Sequence, residues 1–320
     1  MRILALVPGG IGDQLLFFPT LDNLRGRYPE AEIDVVVEPR STAAYRVSKS
    51  VDKVIPFDFK DANGPADWGN LLGIFRDREY DAVMSLGRRL SVGFLLWLTG
   101  IPVRIGYAAG AGKIFLSNPI ALNLDQYAAC MFHDLLQGLG IKDPCPDLAI
   151  NVPKTDINWA EAEQQRLGIK DSGYILIHCG ASKPTPSLDI GRIYPVKQWQ
   201  QIIKDLQARK PDLPVVLIED PDDSELAKAL SAVCPEVKVI NPTDIGKLAA
   251  TIAGANLMLC TNSGPMHLSV AVGTYTIALF GPSDPNKLLP ANGRSIAIKS
   301  RTGKIADIPP SDVLERIWKG

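Results

Sequence analysis

Short runs of consecutive apolar residues alternate along the chain with longer stretches whose apolar positions recur every third or fourth residue. Ile3–Val7 is continuously apolar and stops at a glycine cluster, after which Leu15, Leu16, Phe18, Leu21, Leu24 and Tyr28 follow at helical spacing. Ile33–Val37, Val51–Phe57 and Ala82–Leu86 predict further strands, and Leu90–Leu98 predicts a buried helix. The second half repeats the scheme. Strands are expected at Tyr174–Cys179, Val215–Ile218, Val237–Ile240, Leu257–Cys260 and Thr274–Phe280. Helices are expected at Val196–Gln207, Ser224–Val233, Ile245–Ala253 and Met266–Val272, with a last short helix opened by Ser311 as its N-cap. Strands that are apolar throughout, separated by helices, indicate a parallel sheet covered on both faces. The predicted fold class is therefore α/β, with two doubly wound, Rossmann-like domains facing across a cleft. Asp143–Thr155 carries three prolines and little periodicity, which divides the chain into 1–152 and 153–320.

Composition narrows the function classes. The 320 residues are 46% hydrophobic and 22% charged, as in an ordinary globular protein. The formal net charge is -1, so no overall basic excess drives nucleic-acid binding. Five scattered cysteines, without a C-x-x-C pair, predict free thiols in a reducing compartment. The three histidines form no H-x-x-x-H or H-x-H pair, which argues against a zinc enzyme. The apolar start is too short for a signal-peptide core, and the run Val92–Leu98 is far below the ~20 residues that cross a bilayer. A cytoplasmic protein is expected.

Three predicted strand-end loops carry candidate chemistry. In Pro8-Gly9-Gly10-Ile11-Gly12-Asp13, glycines permit a sharp strand-to-helix turn and close approach to a ligand. A dinucleotide fingerprint counted from Gly10 fails at its third glycine, where Leu15 stands, although Glu38 occupies the place of a ribose-binding acid. Asp13 reads either as a first-turn acid favoured by the helix dipole or as a general base. In Gly180-Ala181-Ser182-Lys183, small residues expose backbone N–H groups, and Lys183 or Arg192 could neutralise phosphate charge. In Asn262-Ser263-Gly264-Pro265-Met266-His267, a helix start with proline in its first turn suits phosphate binding; Ser263 could cap the helix, and His267 faces either sheet or ligand.

Together these loops resemble glycosyltransferase family 9, the ADP-heptose:lipopolysaccharide heptosyltransferases and their relatives. Gly12-Asp13, followed after five residues by Pro19-Thr20-Leu21, is similar to the family's G-D and P-x-L. Gly180-Ala181-Ser182, with Tyr194-Pro195 and Trp199, is similar to its G-A-S and W-P segments. Asn262-Ser263-Gly264-Pro265-Met266-His267-Leu268 and Ala278-Leu279-Phe280-Gly281-Pro282-Ser283-Asp284-Pro285 resemble its D-[ST]-G-P-M-H-L and A-L-F-G-P-T-D-P. The resemblance implies a GT-B fold, an N-terminal acceptor domain, a C-terminal nucleotide-sugar domain, and inverting sugar transfer without a metal or other cofactor. It implies Asp13 as base, with Gly12, Gly180, Ala181, Ser182, Lys183, Arg192, Glu219, Asn262, Ser263, Gly264, Pro265, Met266 and His267 binding substrate. ADP-heptose is the expected donor and a lipopolysaccharide-type or other surface glycan the expected acceptor. A membrane-embedded acceptor implies transient contact with the inner-membrane surface, for which an exposed basic and apolar patch on the first domain is the feature to seek. Two departures bear on the donor: Asn262 stands where the family has aspartate, and Tyr194 where it has tryptophan. The alternatives are a catalytically silent nucleotide-sugar-binding protein on the same fold and an NAD-linked oxidoreductase.

Overall fold

The first apolar run forms the middle of a parallel sheet, as its composition requires. In β1 (Arg2–Val7), every residue from Ile3 to Val7 is buried, because neighbouring strands cover its edges and helices both faces. A computed structural model describes residues 1–59, 64–180, 193–220 and 224–319. The chain divides into two units, Met1–Asn151 and Val152–Gly320.

In the first unit β1 is followed by α1 (Ile11–Arg27), β2 (Glu32–Val37), a 3-10 segment at Pro39–Val47, β3 (Lys53–Pro56), α2 (Pro65–Asp77), β4 (Ala82–Ser85), α3 (Leu90–Leu98), β5 (Val103–Tyr107), a 3-10 turn at Ala111–Phe115, β6 (Asn118–Ile120) and α4 (Ala128–His133). The strand order is β3-β2-β1-β4-β5-β6, with every pairing parallel. The chain runs outward from β1, then returns to β1's other side at β4. The β1/β4 junction is therefore the switch point, where loops diverge at the carboxyl edge and leave room for a ligand.

The second unit repeats the plan. It comprises α5 (Lys154–Arg166), β7 (Ile175–His178), α6 (Val196–Arg209), β8 (Val215–Ile218), α7 (Ser224–Val233), β9 (Lys238–Ile240), α8 (Ile245–Ala253), β10 (Leu257–Thr261), α9 (Gly264–Val272), β11 (Thr276–Phe280), β12 (Ser295–Lys299) and α10 (Pro310–Lys319). The order β12-β11-β10-β7-β8-β9 puts the switch point between β7 and β10. Trp199 and Tyr194 anchor one side of this core, fully buried and edge to face at 5.1 Å, and the Tyr194 hydroxyl donates to the Ile308 carbonyl at 3.0 Å. Tyr194 thus fills a packing position in the middle motif.

Four expectations change. Leu90–Leu98 is helical, but only Gly93, Leu95 and Leu96 are buried; a segment apolar on every side gives no periodicity from which to read its covered face. Ser311 lies inside α10, which opens at Pro310, a residue suited to a first turn. Helix α5 falls where no helix was expected, because Asp156 and Ala160 are its only buried residues. Strands β5, β6 and β12 also went unanticipated, being short or only partly buried.

Candidate functional site

The glycine loop is built around Asp13. Gly9 has φ +126°, a conformation that L side chains rarely adopt, and a Cβ there would lie 2.3 Å from Asp13 Oδ2. With glycine in place, the carboxylate folds back over the turn and accepts the Gly10 N–H at 2.8 Å. Asp13 is therefore the first-turn acid of α1 in geometry, half-buried, with its orientation fixed by that bond. Gly12 sits beside it in the same turn, half-buried. Three residues that the sequence did not single out support the loop. Gln14 Nε2 donates to the Val7 carbonyl at 2.9 Å, Tyr45 OH donates to Gln14 Oε1 at 2.8 Å, and Ser41 Oγ donates to the Gly9 carbonyl at 2.8 Å. Their signal is weak in the chain, since Ser41 and Tyr45 belong to the 3-10 segment after β2 and meet the loop only in the fold.

In the second unit, β8, β7 and β10 are adjacent and parallel, so Glu219, Gly180 and Asn262 follow neighbouring strand ends on one sheet edge. The Thr261 hydroxyl donates to the Gly180 carbonyl, tying the β7 and β10 ends together. Asn262, Gly264 and Pro265 are half-buried, whereas Gly180, Ser263, Met266 and His267 are buried. Ser263 occupies the N-cap position of α9, but its hydroxyl makes no cap bond. It lies 3.3 Å from the Thr261 carbonyl and 3.4 Å from His178 Nδ1. The expected side-chain cap is thus replaced by a link to β7, because Cys260 pairs in register with His178. Met266 has no exposed surface and packs in the interior, where the expectation had it touching substrate. Glu219 is partly exposed at the end of β8, 3.9 Å from Lys228 Nζ.

The two histidines of the second unit are both buried and electrostatically alike. Desolvation pushes His178 down to about 4, with Asp220 opposing the shift, and desolvation alone pushes His267 down to about 4. Both are neutral at physiological pH. His267 Nδ1 is buried and has no hydrogen-bond partner among the described residues, a cost that a ligand contact could offset. Lys299 stabilises the loop after β11, donating to the carbonyls of Gly281 at 2.5 Å and Ser283 at 2.7 Å. Asp284 Oδ1 accepts the Asn286 N–H at 3.1 Å. Ala181, Ser182, Lys183 and Arg192 lie outside the described residues. The expectation of a metal-free reaction rests in part on the absence of a D-x-D triplet, and that reading is corrected here: Asp220-Pro221-Asp222 follows β8, with Pro221 and Asp222 outside the described residues. Among the described residues, no three His, Cys, Asp or Glu side chains cluster as metal ligands. No helix among them is long and apolar enough to cross a membrane.

Two doubly wound parallel units of order 3-2-1-4-5-6, with loops of this kind at both switch points, have the architecture of a GT-B glycosyltransferase. Residues 70–317 match glycosyltransferase family 9 (heptosyltransferase), and the chain belongs to that family. Lipopolysaccharide heptosyltransferase 2 of Escherichia coli K12 is 23% identical, covering 99% of this chain and 97% of that protein. The photosynthetic NDH subunit of subcomplex B 1, a chloroplastic protein of Arabidopsis thaliana, is 26% identical, covering 96% of this chain and 71% of that protein. Among solved structures, E. coli heptosyltransferase WaaC with ADP-2-deoxy-2-fluoro heptose superposes with a TM-score of 0.77 at 19% identity, covering 100% of this chain and 99% of that one. At that identity the likeness speaks for the fold.

Proposed function

We propose that the chain is an inverting, metal-independent transferase that moves heptose from ADP-heptose to a lipopolysaccharide-type acceptor at the cytoplasmic leaflet. The observation that carries this reading is the family match over residues 70–317, together with the β10–α9 turn at the second unit's switch point. A helix start with a buried, unpaired histidine nitrogen suits a ligand bearing phosphates. The solved relative with an ADP-heptose analogue supports the choice of nucleotide and sugar.

On this reading the first unit takes the acceptor and the second the donor. Asp13 removes the proton from the acceptor hydroxyl, whose oxygen attacks the anomeric carbon from the face opposite the diphosphate. The new C–O bond forms as the bond to the diphosphate oxygen breaks, and the electron pair leaves with ADP. The N-terminus of α9, Gly264 and His267 meet the developing phosphate charge, assisted by Ser182 and by Lys183 or Arg192. Gly12, Gly180 and Ala181 keep backbone accessible to substrate, and Ser263, Pro265 and Met266 shape the helix start. Asn262 contacts the donor by hydrogen bonding in place of a charged carboxylate, and Glu219 meets the nucleoside.

A second reading is a catalytically silent nucleotide-sugar-binding protein. Asn262 in place of the family's aspartate favours it, as does the 26% identical relative named as a subunit of a larger assembly. Calorimetric titration with ADP, UDP, GDP and NAD, with and without magnesium, separates the readings when paired with a transfer assay. The transferase reading expects ADP binding that EDTA leaves unchanged, and transfer that Asp13→Ala abolishes while binding persists. Binding of NAD alone would refute both readings.

A further inference from the structure

Cys130 and Cys145 are partly exposed, whereas Cys179, Cys234 and Cys260 are buried. The fold brings the two exposed thiols together. Cys130 lies on α4, which three contacts hold in place. The Tyr107 hydroxyl donates to the Met131 carbonyl at 2.9 Å, Phe132 packs on Phe17 with ring centroids 6.3 Å apart, and Asn23 Nδ2 donates to His133 Nε2 at 3.0 Å. After the 3-10 turn Asp134–Leu139 the chain doubles back. Gly140 takes φ +78° and donates to the Gln137 carbonyl at 3.0 Å, and Ile141 donates to the Leu136 carbonyl at 3.1 Å. A left-handed glycine with such bonds reverses a chain at a helix end. Buried Ile141 pins the returning segment, and Pro144 and Pro146 flank Cys145, with the residue before a proline biased to extended backbone.

Cys145 thereby meets Cys130. The two thiols are hydrogen-bonding neighbours, and both line one open pocket of about 510 Å³ together with His133, Asp134, Lys142 and Asp143. The buried Tyr127 hydroxyl, just before α4, lies within electrostatic reach of both sulfurs. Burial pushes the Cys145 thiol up, reinforced by Cys130, Asp134 and Asp147, so Cys145 keeps its proton at neutral pH and attack starts from Cys130. A dithiol whose thiolate is disfavoured gives a disulfide that resists reduction better than one whose reduced form is stabilised by charge. Asp134, Asp143 and Asp147 outnumber Lys142 here, which repels anionic oxidants and admits a small neutral one.

We propose that Cys130 and Cys145 are a peroxide-oxidisable thiol pair that closes to a disulfide. The Cys130 sulfur attacks one oxygen of hydrogen peroxide, the O–O bond breaks, and the departing hydroxide takes the thiol proton to leave as water, giving a sulfenic acid. The Cys145 sulfur then attacks the Cys130 sulfur. The S–S bond forms as the S–O bond breaks, and the Cys145 proton leaves with the hydroxide as a second water. Two thiols and one peroxide thus give one disulfide and two waters, each sulfur losing one electron. The disulfide ties α4 to the segment that runs without helix or strand towards Asn151, the last residue of the first unit. The proposal is independent of the transferase reading.

The test treats the full, reduced chain with hydrogen peroxide, alkylates the remaining thiols and maps the peptides without reductant. Trypsin cuts at Lys113, Lys142 and Lys154, so Cys130 and Cys145 fall on different peptides. The expected product links residues 114–142 to residues 143–154, is two hydrogens lighter than their sum, and is split by dithiothreitol. Titratable thiols fall from five to three, the five less this pair. The linked pair should exceed every other cysteine pair by about tenfold or more. Oxidation should raise Tm by roughly 5–10 °C, as closing a loop of about 15 residues predicts. In Cys145→Ser, shown to be folded by circular dichroism, the linked pair and the rise in Tm are lost, and Cys130 goes on to a sulfinic acid that dithiothreitol does not reverse. A folded chain whose five thiols survive, linkage to Cys179, Cys234 or Cys260 instead, or a disulfide between two chains overturns the proposal. So does an equal rise in Tm in Cys145→Ser. The wild-type map decides the matter even where the variant fails to fold.

Discussion

Replacing Gly9 by alanine tests whether the turn that presents Asp13 is as tightly determined as its geometry indicates. At φ +126° an alanine is strained by about 1–3 kcal/mol. Its Cβ lies 2.3 Å from Asp13 Oδ2 and 2.7 Å from Cγ, so the carboxylate must rotate away. Rotation breaks the 2.8 Å bond from the Gly10 N–H, a charge-assisted bond worth about 1.5 kcal/mol at this half-buried position. The variant should therefore lose about 2.5–4.5 kcal/mol, or roughly 3 °C of Tm per kcal/mol for a unit of this size. The more diagnostic result is coupling. In Asp13→Ala the bond is already gone and the carboxylate is absent, so adding Gly9→Ala costs little beyond backbone strain. The double-mutant cycle should close with a coupling of about 1–2 kcal/mol. Urea denaturation followed by far-UV circular dichroism and by Trp68 and Trp97 fluorescence measures it. Strict additivity, or a Gly9→Ala variant as stable as wild type, would refute the reasoning.

The buried histidines predict a pH dependence for the second unit. His178 and His267 sit at about 4 in the fold against 6.5 unfolded, so as pH falls below 6.5 the unfolded chain binds protons first. Their contribution is fully present above pH 6.5 and is lost towards pH 4, by about 2 kcal/mol per histidine at pH 5. Urea midpoints at pH 7.5 and 5 check this; a flat profile, or a His267→Asn variant with an undiminished drop, contradicts it. Tyr194→Phe should destabilise the second unit by about 1–3 kcal/mol, because it leaves the buried Ile308 carbonyl without its donor. A change within a few tenths of a kcal/mol would mean that another donor replaces the hydroxyl. Asp13→Asn keeps an oxygen acceptor for the Gly10 N–H, so it should preserve stability while Asp13→Ala loses about 1.5 kcal/mol.

The central strands were legible because they are buried on both faces and read as unbroken apolar runs, as in Ile3–Val7 and Leu257–Cys260, whereas the short or partly exposed β5, β6 and β12 were not. Helix α5 was not, since it covers the fold with only Asp156 and Ala160 and shows little periodicity. The exposed stripe of α3 was hidden for the opposite reason: a helix apolar on every side conceals which face is covered. Asp13 and the Ser263–His267 turn were visible as strand-end motifs, and glycine and proline placement gave their local form. What joins them to the fold was not visible. The approach of Ser263 to His178 follows from β7 and β10 being neighbours across 85 residues of chain, which the strand order alone decides. The back-folded carboxylate of Asp13 needed the φ of Gly9, which no residue count reveals.

The central claim is that Asp13 serves as the base in sugar transfer from ADP-heptose. Its most direct test is ADP release from ADP-heptose in the presence of a heptose-deficient glycolipid acceptor, comparing wild type with Asp13→Asn. The account predicts acceptor-dependent release by the wild type and a loss of about a thousandfold or more in the variant, with ADP affinity unchanged. Release that survives Asp13→Asn, or a wild type that binds ADP and releases none from the donor, would contradict it.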